Sequence, residues 1–233
     1  MNPTAKRFKN RLLASLPRAE INHLNPHLSA IDLPQNTSLL NGKHNYAYFL
    51  EEGIASVVIT LQNGSTVEVG VIGRDGIVGI PILLGTVGMP GRTFIQIAGS
   101  GYQIEAETLK EEFEKPGEFR QGIQKYLQGF LVQTAQTAAC NRLHSIEERL
   151  ARWLLTCRDR MDGDDLPLTH EFLGQMLGAP RTTVTLTAGL LHRAGMIEYS
   201  RGMVKITDRS ALENSACECY RTVRDEFRRL HLL

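Results

Sequence analysis

The segment LTHEFLGQMLGAPRTTVTLTAGLLHRAGMIEYSRGMVKIT, Leu168 to Thr207, decides how this chain is read. Thr169 is placed to cap a short helix through Phe172, Leu173, Met176 and Leu177. Gly178 supplies a tight turn. Pro180 suits the first position of a second helix, where its missing N–H costs nothing. That helix is expected from about Pro180 to Arg193, with Val184, Leu190 and Leu191 on its buried side, and Gly195 stops it. Met196 to Ser200, the turn Arg201-Gly202 and Met203 to Thr207 then read as a β-hairpin. Two helices across a tight turn, followed by a hairpin, make a winged helix-turn-helix.

Its side chains suit DNA. No acidic residue lies between Glu171 and Glu198, while Arg181, His192 and Arg193 add positive or potentially positive charge. The start of the second helix presents Arg181, Thr182, Thr183 and Thr185 at a helix N-terminus, whose free N–H groups and dipole attract phosphate. Arginine there can also fork onto O6 and N7 of guanine in the major groove. Arg201 and Lys205 of the wing are candidate backbone contacts beside the groove. With Thr169 and Pro180 they complete the candidate DNA-binding set. The competing reading is a protein-interaction module in which Arg181 is simply solvated.

Working outward, Ser145-Ile-Glu-Glu148 is a capping box opening a helix with Leu150, Trp153, Leu154 and Cys157 on one face. The acidic turn Asp162-Gly-Asp-Asp165 closes that unit. Before it, Ile123, Leu127, Phe130, Thr134, Thr137 and Asn141 recur at alternating steps of four and three, a heptad-like seam. The seam packs either onto its own chain or, over at least half its length, onto the same helix of a second copy; its polar end is poor core material and suits a register-fixing contact.

Further upstream the pattern is β. Ile54 to Leu61 is β-branched, Asn63-Gly64 is a two-residue hairpin signal, and Ser65 to Ile72 is the returning strand, closed by Gly73-Arg-Asp-Gly76. An apolar segment from Ile77 to Leu84, a Gly/Pro-rich stretch from Gly85 to Gly91 and a strand near Thr93 to Ala98 follow. Short strands with glycine turns fit a β-roll. A helical lead-in carries Phe8, Leu12, Leu13 and Leu16. The expected class is α+β, with a β-roll sensor over residues 1–117, a dimerisation helix over 118–144 and a winged helix-turn-helix over 145–233.

The totals exclude several classes. With 42% hydrophobic and 22% charged residues over 233, the chain can bury a sizeable core. No apolar run approaches the roughly 18 residues of a membrane span, and Met1 to Arg11 is polar and basic without an apolar region behind it. The four cysteines, Cys140, Cys157, Cys217 and Cys219, are too few and scattered for a disulfide framework. Together these give a cytoplasmic expectation. The net charge of +1 announces no nucleic-acid partner, so the argument rests on local charge.

Across nearly its whole length the sequence resembles the Crp/Fnr superfamily of bacterial transcription regulators. The resemblance rests on Leu173-Gly-Gln-Met-Leu-Gly178, Arg181-Thr-Thr-Val184 and Leu190 to Ile197, with Gly53, Gly73, Gly76 and Gly79 at the expected order in the β-roll. It implies a homodimer that places the second helix at roughly two-fold symmetric DNA, with RNA polymerase and an unidentified small-molecule effector as candidate partners. Where the family often carries an Arg-Glu pair and a second Arg, this chain has Arg181, Thr182 and Leu186, so a different target sequence is expected.

The family's cyclic-nucleotide cassette is also altered. Gly79 is followed by Ile80 where the resemblance implies Glu, Pro81 removes an N–H, and Arg92-Thr93 is followed by Phe94 where Ala is implied. Gly79, Ile80, Arg92 and Thr93 are the candidate effector pocket, with the bulk of Phe94 expected to fill it. The substitutions speak against cAMP and leave Arg92 either for another anionic ligand or as a solvated loop residue. No cysteine precedes Cys140, which excludes the family's N-terminal iron–sulfur centre. Cys217-Glu-Cys219 shows no accompanying Cys or His at metal-ligand spacing, so no metal is expected; a thiol switch stays open beside the reading of a small buried hydrophobe. His23, His27 and His44 lie in loops without marking a haem ligand. An enzyme of cupin type needs histidines on its strands, and Ala47 to Ala106 has none. The remaining alternatives are an adaptor that senses a ligand without binding DNA, and a cyclic-nucleotide-dependent regulator of the same fold.

Overall fold

The computed structural model describes residues 8–40, 45–86 and 90–233, which leaves His44 outside it. Two short helices, α1 (Arg11–Ala14) and α2 (Arg18–Leu24), lead into strands β1 (Ser29–Leu33), β2 (Tyr46–Leu50), β3 (Ile54–Thr60) and β4 (Thr66–Ile72). Helix α3 (Ile80–Leu83), strands β5 (Arg92–Ile97) and β6 (Gly99–Glu105) and helix α4 (Ala106–Glu114) complete the N-terminal part. The long α5 (Glu118–Leu143) leads to α6 (Ile146–Arg158), β7 (Asp165–Pro167), α7 (His170–Leu177), α8 (Arg181–Arg193), β8 (Ile197–Ser200), β9 (Met203–Ile206), α9 (Arg209–Ser215) and α10 (Glu218–Arg229).

The β-roll consists of two antiparallel sheets, ordered β1-β6-β2 and β4-β3-β5. Strand β6, unread in the sequence, is the centre of the first sheet. Its glycines and polar residues disguise it: Gly99 and Gly101 sit where other backbone crosses too closely for a side chain. The β3–β4 connection spans residues 61–65, since Thr60 pairs with Thr66, and is thus longer than the two-residue turn the Asn63-Gly64 signal suggests.

Helix α5 starts where Glu20 of α2 accepts hydrogen bonds from the Glu118 and Phe119 N–H groups. Phe119, Ile123, Tyr126, Phe130, Gln133, Thr137 and Cys140 form its buried face. The expected seam therefore divides. Ile123, Phe130 and Thr137 turn into their own chain, where Phe130 lies against Gly70 of β4, close enough that a β-carbon there would stand 2.6 Å from the ring. Leu127, Thr134 and Asn141 stay part-exposed on another face. The strands present an apolar wall to cover, so the bulkiest seam positions go inward.

Two apolar cores result. One joins α1, the first sheet, α5 and the end of α10 through Leu13, Phe49, Ile123, Tyr126 and Phe227. The other joins Ile54, Val58, Val71, Phe94 and Ile97 of the second sheet to Trp153, Leu173, Leu177 and Val184 of the C-terminal helices. The second sheet and the helix-turn-helix thus bury one surface together. At the same seam, Asp75 and Arg160 form an ion pair at 2.7 Å, each almost wholly buried.

Candidate nucleic-acid interface

The helix-turn-helix forms by local rules. Thr169 caps α7, its hydroxyl accepting from the Phe172 N–H at 3.2 Å. Gly178 ends α7 in the left-handed conformation, with φ of 58°, where a β-carbon would be strained. Pro180 takes the cap position of α8 rather than its first turn, and its fixed φ of −57° aims the chain into the helix at Arg181. After α8, Gly195 turns the chain into β8, and Arg201 and Gly202, both at positive φ, close a two-residue hairpin in which Ser200 pairs with Met203. The wing also gains a third strand: β7, from the segment read as an acidic turn and its end, pairs with β9.

Helix α8 buries Val184, Thr187, Ala188 and Leu191 and turns the rest to solvent. Arg181, Thr182 and Thr185 are exposed, Thr183 partly so. Leu186 and Leu190 are 72% and 47% exposed, so Leu190 belongs to the outer face and not, as its spacing suggests, to the core. Helix α6 and the wing already cover the inner face without it. The helix therefore offers Arg181 at its start, Arg193 at its end, small hydroxyls and two leucines. Among the described residues no ion pair ties Arg181 down.

His170, at the start of α7, was invisible to sequence reasoning. Its Nδ1 lies 3.0 Å from the Thr185 hydroxyl, and its ring stacks on Tyr199 of β8 at 3.9 Å between centroids. It ties recognition helix to wing. Burial lowers its pKa, and the positive charge of Arg181 lowers it further; the ring Nδ1–H donates to the Thr185 oxygen, whose own proton goes to the Arg181 carbonyl. The Thr185 hydroxyl also meets the Arg181 carbonyl at 2.9 Å, so this threonine is engaged within the protein. On the wing, Lys205 stands opposite Glu198 on one neighbouring strand and Asp165 on the other. Cross-strand partners share a face, so its charge is offset locally. Arg201 at the exposed tip is the wing's unopposed cation.

Residues 148–215 match the model of the Crp-like helix-turn-helix domain. This segment is a Crp-like helix-turn-helix. The fold around it matches solved regulators. One is a transcriptional regulator of the Crp/Fnr family from Eubacterium rectale, 17% identical, with a TM-score of 0.66 over 90% of this chain and 97% of that one. Another, a CRP-family transcriptional regulator from Thermus thermophilus, is 20% identical, with a TM-score of 0.64 over 81% of this chain and 96% of that one. The c-di-GMP-responsive global regulator CLP of Xanthomonas campestris is 17% identical, with a TM-score of 0.62 over 82% of this chain and 99% of that one. No curated protein matches the chain by sequence. The Crp-like helix-turn-helix domain makes the chain a DNA-binding transcription regulator, and the rest of it shares the fold of those solved structures.

In the β-roll, Gly79, Ile80 and Thr93 do line one cavity, together with Val57, Ile72 and Phe130, but it holds only about 20 Å³. That is room for about one water molecule. The filler is Phe130 of α5 and not Phe94. Strand alternation turns Phe94 to the opposite face, where its ring meets Phe172 of α7 edge-on at 6.4 Å. Arg92 is exposed and lies over the Phe94 ring at 4.4 Å, away from the cavity. Three of the four candidate pocket residues are thus brought together, and Arg92 is not. His23, on α2, pairs with Glu112 at 3.0 Å. Cys217 and Cys219 do meet further ligand-type side chains, Cys140 and His144, which the sequence spacing hid.

Proposed function

We propose that this DNA-binding transcription regulator works as a homodimer on a pseudo-palindromic site, reading each half-site with α8. The carrying observation is the outer face of α8: an unpaired Arg181 at the helix start, no acidic side chain, and a protruding Leu186. Leucine there suits a thymine methyl, and Arg181 suits guanine. Arg201 would hold the flanking backbone. Support for the dimer comes from the second face of α5, where Leu131 is 64% exposed. With Leu127, Thr134, Ala138 and Asn141, Leu131 continues steps of four and three, as a two-helix seam requires.

The small volume of the cavity argues against a cyclic nucleotide in the β-roll, and an unidentified signal there acts through Phe130 on α5. RNA polymerase is the expected protein partner and the cytoplasm the expected compartment; among the described residues no helix is long and apolar enough to cross a membrane. No catalytic role is proposed.

The test is selection of bound sequences from a random duplex pool with purified protein at stated salt. A palindromic motif is expected, and Arg181→Ala should weaken binding to it by about 1–3 kcal/mol, mostly at one base position. Absence of enrichment, with and without cell extract, would refute the reading.

A further inference from the structure

Cys140 and His144 lie one turn apart at the C-terminal end of α5, and Cys217 and Cys219 flank the first residue of α10. Their Sγ and ring-nitrogen atoms all fall within 4.8 Å of one another. The Cys140 and Cys217 sulfurs are 3.5 Å apart, and Cys219 Sγ is 3.7 Å from His144 Nδ1. We infer that these four side chains form a tetrahedral site for a divalent zinc ion, joining the end of the long helix to the start of the last one.

The spacing identifies the ion class. Zinc bonds of about 2.3 Å to sulfur and about 2.0 Å to nitrogen set ligand atoms about 3.5–3.8 Å apart at tetrahedral angles. An iron–sulfur cluster hangs its thiolates on different irons, which requires sulfurs more widely spread than these. Thiolates are soft ligands and exclude calcium or magnesium. Four protein ligands close the coordination shell, so the role is structural rather than catalytic.

Two neighbours complete the site. His144 Nε2 stands 3.2 Å from a Glu218 carboxylate oxygen, so that ring N–H donates to Glu218 and the Nδ1 lone pair faces the thiols. A carboxylate behind a histidine is how metal-binding imidazoles are usually oriented. Arg152 of α6 is buried, takes part in no ion pair among the described residues, and acts electrostatically on Cys140. Binding releases three thiol protons; three thiolates and one divalent cation leave a single negative charge, which Arg152 balances. All three cysteines are buried, with His144 at the solvent edge as the entry side.

The full chain, reduced and freed of metal, is titrated with cobalt(II) and then with zinc. Saturation at about one equivalent, with the intense visible bands of tetrahedral thiolate-bound cobalt that zinc then bleaches, is expected. Cys219→Ser should abolish those bands, and Glu218→Gln should weaken affinity about 10–100-fold while leaving the spectrum tetrahedral. The spectrum of the unmutated chain decides the matter even where a cysteine variant fails to fold. A folded, reduced chain that gives no tetrahedral cobalt spectrum overturns the inference. So does a Cys140–Cys217 disulfide in protein isolated under non-reducing conditions, or stoichiometric iron with labile sulfide.

Discussion

Glu68 has no charged partner within ion-pair distance among the described residues, yet it is buried between the second sheet and α6. The Trp153 N–H donates to its Oε1 at 2.6 Å, and the Ser56 hydroxyl lies 2.5 Å from its Oε2. Ser56 has one proton but also faces Gln96 Oε1, so a neutral Glu68 supplies the proton the group otherwise lacks. Burial accordingly pushes the Glu68 carboxyl up to about 7, against those hydrogen bonds. Unfolded, the same group ionises near 4.5. The folded state thus holds the extra proton between those values, and stability from this group is complete below about 4.5 and lost as pH rises to about 7. The loss amounts to roughly 3 kcal/mol at most. Glu68→Gln, whose amide can donate to Ser56 and accept from Trp153, should flatten the decline in Tm between pH 5 and 8; an unchanged pH profile would remove Glu68 as its source.

At the scale of elements, α5 does two jobs with two faces. Its inner face is core, and its outer face leaves Leu131 in water. Leu131→Asp should leave the monomer folded by circular dichroism, yet shift the sedimenting species from dimer to monomer and weaken operator binding by about tenfold or more. Wild-type behaviour would move the interface elsewhere. The helix-turn-helix and its wing were legible in sequence because each boundary is a local matter: Thr169, Gly178, Gly195 and Arg201-Gly202 fix their own backbone. The seam of α5 was legible as a period but not as a direction, because periodicity says that a face is apolar and not what covers it. Strands β1, β2, β6 and β7 went unread as individual strands; in β6 and β7, Gly99, Gly101 and Asp165 carry little β signal and owe their state to neighbours. Cys140 and Cys217 lie 77 residues apart, beyond any spacing rule.

Over the whole molecule, the decisive feature is the core shared by the β4-β3-β5 sheet and the helix-turn-helix. Phe94, 3% exposed, lies at its edge against Phe172. A shared core makes unfolding of the two parts cooperative. Phe94→Ala removes a buried ring, at a cost of about 3–5 kcal/mol. Calorimetry should then resolve two transitions where the parent shows one; a single, merely lowered transition would mean the remaining contacts suffice. The same surface bears on how such regulators are recombined. A helix-turn-helix cut from this chain and grafted onto a foreign sensor would carry Phe172, Leu173 and Leu177 into water wherever the new sheet lacked a matching relief. A working chimera must therefore inherit the outward residues of β3, β4 and β5 along with the DNA-reading part, so that the unit of exchange is a pair of surfaces and not a domain.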